Sequence, residues 1–259
     1  MKKSKLVATL ALSTVALSIA ANTVQADEAN SYESNGAVQF IPNEGKTDPV
    51  DPINPDPDQP VNPVDPTKPD GPDDGTNGPL SIDYASSFDF GVNRISNKDE
   101  NYFARAQKYT NNADTPNFIQ VSDNRGTNAG WILKVKQVAQ FESATETLNH
   151  TLTGAKISLS SPKVSSNAEN VASPVAKDNL SLIPGAETIV TSAEKNAGAG
   201  TWSTYWGSVE QVDEVNQAGE TNKVNVTKDI NLSVPGSTPK DAVKYQTKLV
   251  WTITEAPQN

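Results

Sequence analysis

The sequence predicts an all-β domain, a sandwich or barrel-like structure with long loops, preceded by a disordered stalk rich in Asp and Pro. Residues 80–259 show mainly a period of two in the alternation of apolar and polar side chains, which is typical of strands. Clusters of Gly, Pro, Asn and Asp separate the alternating segments. Residues 47–79, by contrast, repeat Asp-Pro and Asn-Pro dipeptides.

Residues 1–26 have the pattern of a secretory signal peptide. Three Lys residues precede an apolar stretch over residues 6–21, and residues 24–26, Val-Gln-Ala, have the small-x-small pattern of a cleavage site. A retained membrane anchor is the alternative, but the stretch is shorter than the about 20 apolar residues that a span requires. No later segment is long or apolar enough to cross a membrane. We therefore expect a secreted protein whose mature chain begins at Asp27.

Residues 27–46 are predicted to form an N-terminal tail and residues 47–79 a disordered linker. Residues 27–79 contain two Lys against twelve acidic residues, a net charge of -10, which equals that of the whole 259-residue chain. Pro fixes φ and lacks an amide N–H, so its density here disfavours helix and central strand. At about 3.1 Å per residue the linker would reach roughly 100 Å. The alternative is a calcium-binding loop, but closely spaced Pro residues would separate the converging ligands that calcium needs.

The domain at residues 80–259 contains two clear strand patterns. Residues 131–137 place Trp, Leu and Val on one face and two Lys on the other, and residues 243–253 alternate in the same way. A helix is plausible only at residues 137–148, where apolar residues have helical spacing. Further segments with strand character are 117–122, 155–160, 187–191, 223–227 and 230–234.

Two motifs lie within these strand patterns, one of the form Trp-x-Leu and one, Trp251-Thr252-Ile253, that stands where a second Trp-x-Leu is expected. The first is Trp131-Ile132-Leu133, which follows Gly130. With the Asp/Pro-rich stretch before the domain, they make the sequence similar to the WxL-domain surface proteins of Gram-positive bacteria, in particular the small, single-domain members. The C-terminal signature of that family is matched at Tyr245, Leu249, Trp251, Ile253 and Pro257. Val250 and Ile253 stand where the signature has Thr and Leu, and both changes are conservative on a strand.

The resemblance implies a secreted, non-catalytic protein that attaches non-covalently to the cell wall, with peptidoglycan or another wall polymer as its ligand. It also implies other WxL surface proteins and a membrane-anchored WxL-interacting protein as partners. The C-terminal residues carry no hydrophobic tail or basic stop, so we expect no covalent wall attachment. The alternative is a protein–protein assembly subunit or adhesin whose wall location depends on such a partner rather than on direct glycan binding.

The motif residues have two interpretations. Exposed Trp131 and Trp251 would be platforms on which glycan rings stack, whereas buried ones would be structural core residues. Alternation favours the core, because Trp and Leu two positions apart share one strand face while the opposite face carries Lys. The same interpretation applies to the remaining motif positions, Leu133, Tyr245, Leu249 and Ile253.

Other residues are candidates for contact with a glycan or a partner. Trp202, Tyr205 and Trp206 lie close together between Gly residues. They form either an exposed loop with stacking faces or a bent strand whose two Trp side chains cap the core, and the sequence does not decide between these. Lys134 and Lys136 could meet anionic wall polymers or stem-peptide carboxylates, or could form a solvated strand face.

Composition argues against several other functions. The chain has no Cys, which excludes disulfides, a thiol nucleophile and an all-cysteine zinc site. Its one His, His150, has no Gly-x-Ser-x-Gly motif or metal-ligand spacing beside it. The acidic balance argues against nucleic acid, which is bound through Lys and Arg. We therefore expect no enzyme, no catalytic residues, no metal ligands, no cofactor and no nucleic-acid partner.

Overall fold

A computed structural model describes residues 31–215 and 218–257, and the predicted signal peptide lies outside these ranges. The described residues form strands without a helix, which confirms the all-β prediction. The helix predicted as plausible at residues 137–148 is absent, because residue 137 ends one strand and residues 142–143 form the next. The strands are β1 Pro63–Val64, β2 Leu80–Ala85, β3 Glu100–Arg105, β4 Lys108–Tyr109, β5 Phe118–Asp123, β6 Trp131–Gln137, β7 Glu142–Ser143, β8 Lys156–Leu159, β9 Pro162–Ser165, β10 Val175–Ala176, β11 Leu180–Ser181, β12 Glu187–Ala193, β13 Gly200–Trp206, β14 Val209–Val215, β15 Thr221–Val234, β16 Tyr245–Gln246 and β17 Leu249–Glu255.

The chain divides into two units between Gln39 and Phe40. Residues 31–39 belong to the first and are exposed, with no regular secondary structure. All the strands belong to the second unit. The boundaries predicted for the signal peptide, at residue 26, and for the N-terminal tail, at residue 46, remain predictions.

Two four-stranded antiparallel sheets form the sandwich. The first, here the motif sheet, has the strand order β10-β12-β6-β17, and the second, the wrapped sheet, has the order β2-β5-β13-β9. Apolar side chains of both sheets, among them Leu133 and Trp202, belong to one buried cluster. The hydroxyl oxygens of Thr191 in β12 and Thr204 in β13 lie 2.8 Å apart inside this cluster. The inner faces of the two sheets are therefore in contact.

A third sheet packs its apolar residues into the same core. Its order is β11-β8-β15-β14, and β3 also pairs with the long strand β15. Ile230 and Leu232 of β15 are buried together with Ile157 and Leu159 of β8. Strands β14 and β15 form a hairpin in which Val209 pairs with Thr227 and Val215 with Thr221.

The Asp/Pro segment, residues 47–79, lies against the domain and is not the disordered linker that its composition predicted. Its strand β1 pairs with β4, and Val50 and Val61 are buried. Inside the segment, the amide of Val61 donates to the Pro49 carbonyl at 2.8 Å. The physical reason for the difference is that main-chain groups near the Pro residues find side-chain partners on the sheet, while single Val residues supply buried apolar contact.

Gln120 is the most central of those partners. This fully buried side chain of β5 accepts a hydrogen bond from the Val50 amide at 2.8 Å and donates to the Asp48 carbonyl at 3.0 Å. Next to it on the sheet register, Ser203 is also buried. The outer face of the wrapped sheet thus carries buried polar side chains around Gln120, next to the aromatic pair Tyr84 and Phe118.

Asp83 completes this buried polar layer. Its carboxylate accepts hydrogen bonds from Ser81 Oγ at 2.7 Å, Ser122 Oγ at 2.6 Å and Gln120 Nε2 at 2.9 Å. Burial raises the pKa of Asp83, and the three hydrogen bonds oppose that rise. The carboxylate therefore organises Gln120, which in turn holds the Asp/Pro segment.

Replacing Gln120 by Ala should lower the free energy of unfolding by about 1–3 kcal/mol, because buried main-chain groups of the Asp/Pro segment would lose their partner. Urea denaturation measures this loss, and limited proteolysis within residues 47–79 should become faster. The matched control is Gln211→Ala in the exposed part of β14, which should have wild-type stability. A Gln120→Ala variant as stable as that control would contradict the described attachment.

The stability difference between Asp83→Asn and the wild type should change with pH. Because the folded pKa of Asp83 is raised, the folded chain holds this proton more tightly than the unfolded chain, and the wild type loses that advantage as pH rises. The window runs upward from the ordinary carboxyl value of 3.8 through the raised folded pKa. Asn does not titrate, so the variant should gain stability relative to the wild type across this window. Thermal unfolding at several pH values tests this, and a constant difference would contradict it.

Candidate functional site

The two Trp-x-Leu motifs lie on adjacent strands of the motif sheet. Strands β6 and β17 pair so that Leu133 is opposite Ile253 and Val135 is opposite Trp251. Residues directly opposite each other in an antiparallel pair share one face, so the motif side chains form a single row on the inner face. Trp131 and Leu133 are fully buried. The C-terminal members, Leu249, Trp251 and Ile253, are half-buried and pack against the core.

Two glycines, Gly130 and Gly198, allow the backbone to pack closely around Trp131. Its indole Nε1 donates to the Gly198 carbonyl at 2.9 Å. A Cβ on Gly198 would lie 2.7 Å from that same Nε1, and a Cβ on Gly130 would lie 2.3 Å from the Ala193 carbonyl oxygen. Gly130 and Gly198 also have positive φ, of 77° and 71°. This environment gives Trp131 a structural role, and Gly198 is a partner that sequence reasoning missed.

Tyr245 is anchored by its hydroxyl group. Its OH donates to the Asn149 carbonyl at 2.6 Å and accepts from the Asp241 amide at 2.9 Å. The Asp241 carboxylate accepts from the Asn149 amide and from Asn149 Nδ2, both at 2.8 Å. Hydrogen bonding by Asn149 lowers the pKa of Asp241. Tyr245 therefore ties the start of the C-terminal signature to the loop before β8.

Arg125 closes the other end of the motif strands. Its guanidinium forms two hydrogen bonds with the Asp123 carboxylate, at 2.8 and 2.7 Å. It also donates to the Gly130 carbonyl at 2.8 Å and to Glu255 Oε2 at 2.7 Å. The bidentate ion pair with Asp123 holds Arg125 in place. Through its other two bonds, Arg125 connects the residue before the first motif to the end of β17. No sequence pattern would have shown that these distant residues meet.

The aromatic residues of β13 point to opposite sides of the wrapped sheet. Trp202 and Trp206 lie in the core, where Trp202 Nε1 donates to the Ala199 carbonyl at 2.9 Å and Trp206 meets Phe88 edge-on. The interpretation of these two Trp residues as exposed glycan or partner contacts is therefore wrong, because neither ring has a free face. The alternative interpretation, a strand whose two Trp side chains cap the core, is the correct one. Tyr205 faces outward and is half-buried, with Lys163 Nζ at 6.0 Å from its ring centroid.

Lys134 and Lys136 lie on the outer face of the motif sheet, as the alternation predicts. Both are half-buried, and Lys134 Nζ lies 3.4 Å from Glu187 Oε2. Such a partly exposed ion pair contributes at most about 1 kcal/mol, so an anionic ligand could compete with Glu187 for Lys134. The same face carries Ile189 and Val250, which are 45% and 40% exposed. It is a mixed basic and apolar surface.

The described residues were also compared with the requirements of a metal site. Among them, no three or more His, Asp or Glu side chains are grouped so that they could hold a metal ion. His150 is exposed. In the same part of the chain, no helix has the length and apolar character needed to cross a membrane.

Comparison with known proteins gives one match. The family model of the WxL domain, described as a surface cell wall-binding domain, matches residues 27–257. The matched range includes the Asp/Pro segment as well as both sheets. The family is defined by cell-wall binding and is not a family of enzymes. No curated protein and no solved structure matches the chain.

Truncation of Trp131 should destabilise the fold far more than truncation of Trp251. Trp131→Ala should cost about 3–5 kcal/mol, because it leaves a large cavity in the core. Trp251 is only half-buried, so Trp251→Ala should cost less. Urea denaturation monitored by circular dichroism measures both. A stable Trp131→Ala variant that has lost only its binding to cell walls would show instead that this side chain contacts a ligand.

Proposed function

The chain belongs to the WxL-domain family, and from this membership we propose that it is a secreted, non-catalytic surface protein that attaches non-covalently to the peptidoglycan of a Gram-positive cell wall. The match over residues 27–257 to a surface cell wall-binding domain carries the proposal. Association with the cell surface and wall follows directly from that match. Secretion, the peptidoglycan ligand and the absence of catalysis are the further steps that we propose.

One feature of the described residues supports a binding role without catalysis. A carboxylate with a raised pKa is a candidate catalytic group, so the contacts of Asp83 decide its role. Asp83 has a raised pKa, but its hydrogen-bond donors are the neutral side chains of Ser81, Ser122 and Gln120. Those contacts serve the attachment of the Asp/Pro segment.

Direct wall contact must come from outward-facing side chains, because the motif residues face the core. Lys134 and Lys136 on the outer face of the motif sheet are suited to phosphate or carboxylate groups of wall polymers. Their flexible ammonium groups require no precise geometry of the ligand. We therefore assign them a supporting, salt-dependent part in attachment.

A second candidate function is that of an assembly subunit or adhesin held at the wall by other WxL surface proteins or by a membrane-anchored WxL-interacting protein. Two observations favour it. Strand β17 pairs only with β6 among the described strands and so lies at an edge of the motif sheet, the kind of position at which partner strands are added. Exposed Ile189 and Val250 lie on the outer face of the same sheet and would suit a protein partner.

Sedimentation with isolated peptidoglycan tests the two candidates. The chain from residue 27 to 259 should pellet saturably with walls, both stripped and unstripped of secondary polymers. The double variant Lys134→Ala/Lys136→Ala should bind unstripped walls about three- to tenfold more weakly, since exposed ionic contacts contribute up to about 1 kcal/mol each. The control Lys223→Ala/Lys228→Ala alters two Lys residues of β15 and should bind normally.

Failure of the unaltered chain to pellet with either preparation would contradict direct wall binding. A pull-down from a surface extract that then recovers a WxL protein or a membrane-anchored partner would support the assembly subunit. Equal binding by both double variants would remove Lys134 and Lys136 from the attachment surface.

A further inference from the structure

A polar groove opens beside the wrapped sheet, between the loop of residues 51–61 and the turn at residues 111–112. It is open to solvent and has a volume of about 840 Å³. We call it the Asp/Pro groove. The polar side chains that line it are Asp51, Asn54, Asp56, Gln59, Asn111 and Asn112.

The loop that forms one wall is held at both ends. Val50 and Val61 are buried, and the Val61 amide donates to the Pro49 carbonyl at 2.8 Å, which closes the loop at its base. Five Pro residues between positions 49 and 60 further restrict its backbone. A loop fixed in this way loses little conformational entropy when a ligand binds.

The opposite wall is joined to the loop by amide side chains. Asn111 accepts a hydrogen bond from the Asn62 amide at 2.7 Å and donates to the Pro60 carbonyl at 3.1 Å. Asn112 Nδ2 donates to Asp51 Oδ2 at 2.7 Å. These bonds set the width of the groove before any ligand arrives.

Asn54 and Gln59 are among the exposed polar residues of the groove. Gln59 donates through Nε2 to Asp56 Oδ2 at 2.8 Å, and among the described residues no partner of its Oε1 is present. An amide of this kind offers both a donor and an acceptor, which is what a sugar hydroxyl or an acetamido group requires.

Outside the lining of the groove, the ring of Tyr205 lies on the same face of the wrapped sheet as the start of the loop. Ser165 of β9 donates to the Pro52 carbonyl and pairs with Ser203 of β13, so the loop crosses the wrapped sheet at that point. Tyr205 is two residues further along β13 and therefore projects from the same face. Burial, and then the charge of nearby Asp51, raise the pKa of Tyr205. The ring and the groove are thus neighbours.

We propose that the Asp/Pro groove binds the N-acetylated glycan strand of peptidoglycan, with its amide and carboxylate side chains bonding the sugar polar groups and Tyr205 stacking on a sugar ring. This inference rests on the proposed wall-binding function and gives that function a location. A phosphate-rich polymer fits less well, because the carboxylates of Asp51 and Asp56 would repel it. An apolar peptide fits less well too, because the polar side chains would lose water without replacement partners.

The test uses the chain from residue 27 to 259, an uncharged N-acetylglucosamine tetrasaccharide, and whole walls. Titration calorimetry should detect the tetrasaccharide, and Asn54→Ala/Gln59→Ala should weaken its binding roughly fivefold through lost hydrogen bonds. Tyr205→Leu should weaken it roughly tenfold, whereas Tyr205→Phe should retain it, because stacking needs the ring and not the hydroxyl. The matched control is Gln211→Ala/Asn222→Ala, which removes an exposed Gln and an exposed Asn from the β14–β15 hairpin. Thermal unfolding checks that every variant is folded.

The outcomes separate this inference from the proposed function. If the unaltered chain pellets with walls and the groove variants bind the tetrasaccharide as well as the control does, the groove proposal is overturned and the wall-binding proposal stands. If the unaltered chain binds neither walls nor the tetrasaccharide, both are overturned. If it binds the tetrasaccharide and the groove variants do not, the groove is supported even where whole walls fail to pellet it.

Discussion

The buried amide of Gln120 is the interaction on which the N-terminal half of this structure depends. One side chain satisfies the Val50 amide and the Asp48 carbonyl, and the same side chain is held by Asp83. Without it, the Val50 amide and the Asp48 carbonyl would lose their partner on the sheet, and buried polar groups without partners are costly. The loop at residues 51–61 begins directly after this attachment. The Asp/Pro groove therefore exists because an interior polar network fixes the chain just before it.

In the motif sheet, the inner face has a structural role, and the outer face is the one available for binding. Trp131 and Leu133 point inward and are enclosed by Gly130, Gly198 and the core, so the motif determines how the sandwich packs. The alternate positions point outward and carry Lys, Thr and exposed aliphatic side chains. A sequence motif that identifies a binding family need not itself touch the ligand. In this chain the accessible groups lie on the opposite face and in the groove.

Period-two alternation was enough to predict β6, β17 and the inward direction of their Trp side chains. It could also have resolved β13, since Trp202 and Trp206 are four residues apart and so share a strand face, with Tyr205 on the other. The apparent helical spacing at 137–148 was coincidental, because Leu148 is 95% exposed. Composition failed for the Asp/Pro segment because its average polarity hides single buried residues. Central partners of that segment, such as Gln120 for Val50 and Tyr109 for Pro63, lie more than forty residues away, and no local pattern reports them.

The Asp-Pro repeat stabilises local turns, which a solvated spacer would not require. Pro removes main-chain donors, and the Asp side chains accept hydrogen bonds from amides two residues further along, as Asp51 does from Ile53, Asp56 from Asp58 and Asp65 from Thr67. Each Asp thus closes a local turn that Pro has already restricted. A succession of such turns makes a stiff, irregular strap without helix or sheet. Stiffness combined with many polar side chains favours recognition of a hydroxyl-rich ligand, because little order is lost when the ligand binds.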